Sequence, residues 1–250
     1  MSAPARRPRC LFLPGMMCDE RLFAAQLGAF GDVASCRCAP LDGSDRIETL
    51  AVSALAGAAG NGDAPLVLVG LSMGGIVAME CLRAAPERVA AVVLMDTNPL
   101  AEGPERRRLR PPQIERALGG ELDRILVEEM KPLYLAPENR DDESILSLVL
   151  TMARELGPVV FARQSRALMA RRDYTATLRA WRGPTLILHG EHDALCPPER
   201  HELMHELVED SELVSIAGAG HLPTLEAPAA VNAELRRFLG ALDGSRPDRA

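Results

Sequence analysis

Aromatic side chains are scarce in this 250-residue sequence: two tyrosines, one tryptophan and five phenylalanines make up 3% of it. Lysine is scarcer still, with Lys131 the single example, and acidic residues outnumber basic ones 35 to 28 for a net charge of −7. A chain with neither stacking rings nor a basic field lacks both means by which proteins commonly hold nucleic acid, so no nucleic-acid partner is expected. Cysteine is thin as well. The six thiols, Cys10, Cys18, Cys36, Cys38, Cys81 and Cys196, include no C-x-x-C pair and no paired metal spacing. A reducing, cytoplasmic setting fits that usage best. Long apolar runs are missing too. The longest, 66–79, is cut by Gly70, Ser72, Gly74 and Gly75, which excludes a membrane span there. The run 10–13, behind a Pro/Arg-rich start, ends at Pro14-Gly15 and is too short for a secretory leader. A soluble protein without a membrane partner is expected.

What remains is ordinary globular composition, 47% hydrophobic and 25% charged, long enough to bury a core without staples. Short apolar runs at 10–13, 33–38, 66–69, 90–95, 185–188 and 212–216 each end in turn residues. Apolar residues on both alternating positions mark strands covered on both faces. Helical patterns at 21–30, 47–59, 76–85, 199–208 and 229–239 lie between most of them. The alternation predicts an α/β fold: about six mostly parallel strands, doubly wound with helices on both faces. Between 99 and 180 the strands stop. Ile145, Leu146, Leu148, Val149, Met152, Ala153 and Leu156 recur at helical spacing, and Gly157-Pro158 ends that helix. An all-helical cap at 99–180, inserted into a core formed by 1–98 and 181–250, is the expected organisation.

The sharpest chemical signal is Gly70-Leu71-Ser72-Met73-Gly74, with a strand pattern before it and a helix pattern after. A serine on so tight a turn presents its hydroxyl, and the flanking positions come too close to other backbone to carry side chains. A serine hydroxyl needs a base to attack a carbonyl at neutral pH, and the base needs a carboxylate to orient it. His221, in Gly218-Ala219-Gly220-His221, follows the strand pattern 212–216. Two acids sit just past strand ends: Asp193 after 185–188, and Asp96 after 90–95. The order Ser72, Asp193, His221 favours Asp193, with Asp96 the competing acid. Developing oxyanion charge calls for backbone donors, expected at the amides of Met73, opening its helix, and of Met16, in the loop leaving the first strand.

These stretches, together with Leu13-Pro14-Gly15-Met16-Met17-Cys18-Asp19, the run Arg83-Ala84-Ala85-Pro86-Glu87-Arg88-Val89 and the run 184–193, make the chain resemble an α/β-hydrolase-fold serine hydrolase with a helical cap. The resemblance covers about 9–239 and implies Ser72 as nucleophile, His221 as base, Asp193 as its orienter and Gly15-Met16 as the oxyanion turn. Two features depart from many relatives. Pro14 stands where histidine is common, and the first strand begins so near the start that two leading strands of larger members are not expected. The implied reaction is acyl transfer from a small or medium, mostly apolar, ester-like substrate to water, with no metal or organic cofactor. Thioester, lactone or carbon–carbon bond hydrolysis would use the same parts.

Two other classes compete. A ligand receptor on the same fold would carry a vestigial triad. A zinc hydrolase would use His201-Glu202-Leu203-Met204-His205, which matches H-E-x-x-H, with Glu226 as a third ligand. Leu203, Met204, Leu207 and Val208 instead read as the inner face of an amphipathic surface helix. Cys18 and Cys196 are expected to be ordinary buried thiols near the site, and Arg106–Arg108 with Arg110 a solvated charge run in preference to an anion site at the cap entrance. His189 and His192 are expected to be structural, and Trp181 to pack between cap and sheet. Leu148, Met152, Phe161 and Met169 are expected among the apolar residues of the cap.

Overall fold

The computed structural model describes residues 7–58 and 65–244. The first six residues of the Pro/Arg-rich start, Ala59 at the end of one expected helix, and residues 245–250 of the expected core lie outside them.

Six strands form one sheet: β1 (Arg9–Leu13), β2 (Ser35–Cys38), β3 (Leu66–Leu71), β4 (Val89–Met95), β5 (Thr185–Gly190) and β6 (Ser211–Ile216). Their order is β2-β1-β3-β4-β5-β6, and every pairing is parallel. The chain runs outward from β1 to β2 and then returns to β3 on the other side. The strand order therefore reverses between β1 and β3, the place where open parallel sheets leave a crevice at their carboxyl ends. Residues of β3 alternate between the two layers. Leu66 and Leu68 join one apolar cluster, and Val67, Val69 and Leu71 join the other.

The first cluster packs α2 (Ile47–Gly57), α3 (Met73–Ala84), α7 (Thr175–Ala180) and α8 (Pro198–Leu207) on one face, through Leu50, Val77, Leu178 and Met204. The second packs α1 (Ala24–Phe30) and α10 (Pro228–Gly244) on the other, through Phe30, Val231, Leu235 and Phe238. The expectation of two covered faces holds for β1, β3, β4 and β5. It fails for β2 and β6, the two edges, whose side chains are exposed or half-buried except at Ile216. β2 also starts at Ser35 rather than 33.

Between β4 and β5 the described chain is helical, with α4 (Pro104–Arg116), α5 (Leu122–Ile125), α6 (Glu143–Ala170) and then α7. Asp142 opens α6 by accepting from the amides of Ser144 (2.9 Å) and Ile145 (3.2 Å), a cap that contributes about 1 kcal/mol. Gly157, at φ 77° and ψ 174°, breaks α6 into two helices that bend over the sheet's carboxyl edge. The first half sends Ile145, Leu146 and Val149 into one layer's cluster, and the second sends Ala167 and Leu168 into the other. The length and apolar composition of α6 would suffice to cross a membrane, but the helix is kinked at Gly157 and 44% of its most apolar window is buried within the protein. A third, smaller cluster joins Leu122, Ile125, Leu126, Ala153 and Phe161 of the helical segment to Met17 of the loop after β1.

Candidate active site

Ser72 follows β3 and caps α3 at φ 54° and ψ −115°, a left-handed conformation that costs an L residue about 1–3 kcal/mol. Its neighbours hold it there. The Ser72 amide donates to Met95 O at 2.9 Å, and the Thr97 hydroxyl donates to Ser72 O at 2.7 Å. The flanking glycines are required by space. A Cβ on Gly70 would lie 2.5 Å from Gly74 O, and one on Gly74 would lie 1.8 Å from Leu13 O. The turn is thus wedged between its own helix and the end of β1.

His221 reaches Ser72 from the loop after β6. Its Nε2 lies 2.9 Å from Ser72 Oγ, and its Nδ1 lies 2.9 Å and 3.0 Å from the two oxygens of Asp193. His221 and Asp193 are buried, at 3% and 4% exposure. Oδ1 of Asp193 also accepts the amides of Leu195 (2.8 Å) and Cys196 (3.0 Å). Burial alone would raise this carboxyl, but His221 and the two amides outweigh it and hold it below the usual carboxylate value. The three side chains expected from sequence are therefore brought into one hydrogen-bonded chain.

Asp96 takes a different position. It is wholly buried at φ 45°, accepts the Gly190 amide at 2.8 Å through Oδ1, and leaves Oδ2 without a partner among the described residues. An oxygen of Asp96 lies within 4.8 Å of one on Asp193. Burial and that neighbouring charge push Asp96 well above its ordinary value, so it is the neutral member of the pair.

The loop after β1 supplies the facing wall. Gly15 sits so close to the turn that a Cβ would meet Leu71 Cδ2 at 3.5 Å and Ser72 Cβ at 3.6 Å. As the first residue of α3, Met73 has an amide with no carbonyl one turn back to receive it. The Met16 amide has no hydrogen-bond partner among the described residues. Met17, at φ 58°, is pinned because its amide donates to Gln164 Oε1 at 2.8 Å, while Gln164 Nε2 donates to Leu41 O at 2.9 Å. Gln164 is 1% exposed and comes from the second half of α6.

Glu226, in α9 (Pro223–Glu226), braces the histidine loop. One oxygen accepts the amides of Gly220 (2.9 Å) and Leu222 (3.2 Å) on either side of His221. The other accepts Ala136 N (2.7 Å) and Asn139 Nδ2 (3.0 Å) from the helical segment. The His221 amide donates to Tyr134 O at 2.8 Å, and the two rings stack with centroids 6.2 Å apart. Reading the sequence missed Thr97, Gln164 and the bracing role of Glu226. A signal existed for one: Gln164 shares the helical stripe of Phe161 and Leu168, where a polar residue is out of place.

The zinc arrangement is not assembled. His201 turns inward, receives the Thr97 amide on Nε2 at 3.3 Å and stacks on His189 at 4.7 Å. Burial lowers it to about 3, so it is a neutral acceptor. His205 is exposed and bonds Ser211 Oγ at 2.8 Å, and the carboxylate of Glu226 is taken by the brace just described. Donor sets that do converge, Asp96–Asp193–His201 and Asp193–Cys196–His221, fit a metal poorly. Asp193, common to both sets, is already engaged by His221 and by the amides of Leu195 and Cys196, and His201 Nε2 by the Thr97 amide. Cys18 is an inert buried thiol, pushed up by desolvation to about 12.

A cavity of about 430 Å³ opens on Ser72 and His221. Its apolar walls include Met16, Leu71, Ile76, Met130 and Phe161. Of the four residues named as apolar members of the helical segment, Leu148, Met152, Phe161 and Met169, Phe161 lines the cavity. Met152 is fully buried in the core beneath instead. The arginine expectation also needs correction. Arg106, Arg107 and Arg108 are exposed, but the Arg110 side chain is only 12% exposed and lines the cavity.

A strained serine backed by histidine at the switch point of a doubly wound parallel sheet defines a hydrolase class rather than a binding module. A sequence model of the alpha/beta hydrolase family matches residues 11–234, and the chain belongs to that family. Among curated relatives, the pimeloyl-[acyl-carrier protein] methyl ester esterase of Nitrosospira multiformis is 27% identical over 197 residues, covering 69% of this chain and 67% of that one. Among solved structures, a thermophilic esterase from Thermogutta terrifontis, with malate bound, superposes with a TM-score of 0.86 at 29% identity over 94% of this chain and 90% of that one. The enol-lactonase of Burkholderia xenovorans superposes at 0.82, covering 96% and 94%; at 19% identity that likeness speaks to the fold.

Proposed function

We propose that the protein hydrolyses a carboxylic ester of small or medium size through Ser72, His221 and Asp193. The observation that carries this reading is the continuous hydrogen-bonded path, 2.9 Å from Ser72 Oγ to His221 Nε2 and 2.9 Å from His221 Nδ1 to Asp193. As Oγ attacks the carbonyl carbon, Nε2 takes its proton, and Asp193 stabilises the imidazolium. The carbonyl oxygen becomes an oxyanion between the amides of Met16 and Met73. Collapse expels the alcohol, which receives the proton from Nε2, and leaves an acyl ester on Ser72. Water then gives a proton to Nε2 and attacks that ester. The proton returns to Oγ as the acid departs. Apart from the ester and the water, every group in this cycle is a side chain or amide of the chain itself.

The test is covalent labelling by a fluorophosphonate, in wild type and in Ser72→Ala, alongside turnover of matched oxoesters, thioesters and lactones. Labelling lost in the variant, with oxoester turnover dominant, is the expected result. Undiminished labelling of Ser72→Ala would remove Ser72 as nucleophile. A faster thioester or lactone would move the substrate class while keeping the mechanism. One labelling event with no turnover would instead indicate a receptor.

A further inference from the structure

The cavity contains a buried cation with too few partners. A guanidinium carries five N–H donors and no acceptor. On Arg110, Nη2 donates to the two oxygens of Glu102 at 3.2 and 3.4 Å. Nη1 finds only the thioether of Met16, at 3.8 Å, and Nε is buried with no partner among the described residues. A sulfur is a weak acceptor, so these donors are poorly satisfied. Glu102 cannot make up the difference, because Arg171 also claims it through Nη1 at 2.8 Å. All three side chains are largely buried, at 12% for Arg110, 9% for Arg171 and 1% for Glu102. Two buried cations thus share one buried carboxylate and leave a positive charge uncovered.

The neighbouring charges do not cancel it. Glu129 is held by Arg116 and Gln113 at 2.5 and 2.8 Å, Glu105 is exposed, and Arg106 adds a further cation at the cavity wall. Burial lowers both Arg110 and Arg171 from their ordinary values despite Glu102, the mark of desolvated and undercompensated cations. The surface residue Arg116, paired with Glu129 and Glu121, is shifted the opposite way.

Resting on the ester-hydrolase reading, we infer that the substrate carries a second, anionic group, a carboxylate or its like, which Arg110 binds within the cavity that holds Ser72. Arg110 reaches Met16, and Arg110, Met16 and Ser72 line the same cavity, so an anion on Arg110 shares the chamber of the reacting ester rather than lying at a remote surface. The planar fork suits a carboxylate, and a largely desolvated site strengthens the pairing. A cavity of about 430 Å³ accommodates a short chain between the two groups. The anion could be carried by the acyl part or by the alcohol part, and both present the same chemistry to Arg110.

The experiment compares kcat/KM for paired esters. Methyl hydrogen adipate against methyl hexanoate places the carboxylate on the acyl side, and O-acetylglycolate against ethyl acetate places it on the alcohol side. Wild type should prefer the anionic ester in one arm, which identifies the side. Arg110→Gln should reduce that preference by about 10- to 100-fold, the worth of a charge-assisted hydrogen bond. Arg108→Gln removes the same charge from an exposed position on α4 and should keep the preference. Arg110→Lys retains charge without the fork and should fall between. Neutral esters favoured in both arms of the wild type, a comparison that needs no variant to fold, would overturn the inference. So would a preference that Arg110→Gln leaves intact. Calorimetry of glutarate with Ser72→Ala reads the anion site without turnover. Glutarate bound but no ester cleaved by wild type would sink the ester reading, whereas esters cleaved without preference and glutarate unbound would sink the anion site alone.

Discussion

Replacing each of the two buried acids by asparagine separates the roles assigned to them. In Asp193→Asn, two amides, Leu195 at 2.8 Å and Cys196 at 3.0 Å, both claim the Oδ1 position, so the amide oxygen settles there. The NH2 group then occupies the Oδ2 position, 2.9 Å from His221 Nδ1. A donor now faces Nδ1 at 2.9 Å, while the amide oxygen 3.0 Å away already accepts two amides, which favours the tautomer that carries its proton on Nε2, where it points at Ser72 Oγ. The base is blocked with its geometry intact. Loss of kcat should reach about 10⁴-fold, the cost of that tautomer in a serine triad and equivalent to about 5.5 kcal/mol. In Asp96→Asn, the oxygen keeps the Gly190 amide at 2.8 Å and an N–H replaces the O–H of an acid that is already neutral. The loss there should stay below about tenfold, the worth of one neutral hydrogen bond. The assay is initial-rate ester hydrolysis with both variants checked by circular dichroism. A loss from Asp96→Asn equal to or greater than that from Asp193→Asn would refute the assignment.

The same pair predicts a stability trend. Folded Asp96 keeps a proton that the unfolded chain releases above the ordinary carboxyl range near pH 4, so this group makes stability fall as pH rises towards its raised folded value. Asp96→Asn lacks that slope, and its Tm should gain on wild type between about pH 4 and 7, with no change in the difference below; parallel Tm curves would contradict a neutral Asp96. Gly74→Ala drives a methyl to 1.8 Å from Leu13 O and should give insoluble protein or a loss of several kcal/mol in chemical denaturation. Gln164→Ala orphans the Met17 amide and Leu41 carbonyl, each worth about 1–3 kcal/mol, and should lower kcat about tenfold or more with little change in KM. Glu226→Ala releases four donors around His221 and should cost both stability, read by denaturant melts, and kcat.

Legibility followed the range of the interaction. The central strands were readable because their apolar runs are local and covered on both faces; the edges misled because an edge strand needs only one covered face, and Ser35–Cys38 and Ser211–Ile216 are each half exposed. Ser72 was readable because the trace of its constraint lies within five residues, although only Gly70 is kept bare by the turn itself and Gly74 is kept bare by Leu13 of β1. The role of Gln164 was not, since its two partners lie 147 and 123 residues away, and a polar residue in the stripe of Phe161 and Leu168 marks the position without naming them. Arg110 was misread for a related reason. In sequence it continues an arginine run that reads as solvated, and burial comes only when Glu102 and Arg171 close around it.

That division has a physical basis. The turn, the strands and the order of the three reacting side chains are fixed by backbone geometry, which leaves a local trace in glycine spacing and apolar periodicity. The cavity walls include side chains from α4 and α6, among them Arg110, whose burial depends on Glu102 and Arg171 outside its own helix. A substitution series confined to Arg110 and Phe161 should therefore redistribute activity among esters while the sheet and the Ser72 turn keep their stability. If instead those variants melt the sheet as readily as Gly74→Ala does, then the helical segment belongs to the folding core, and specificity and stability are not separable in this protein.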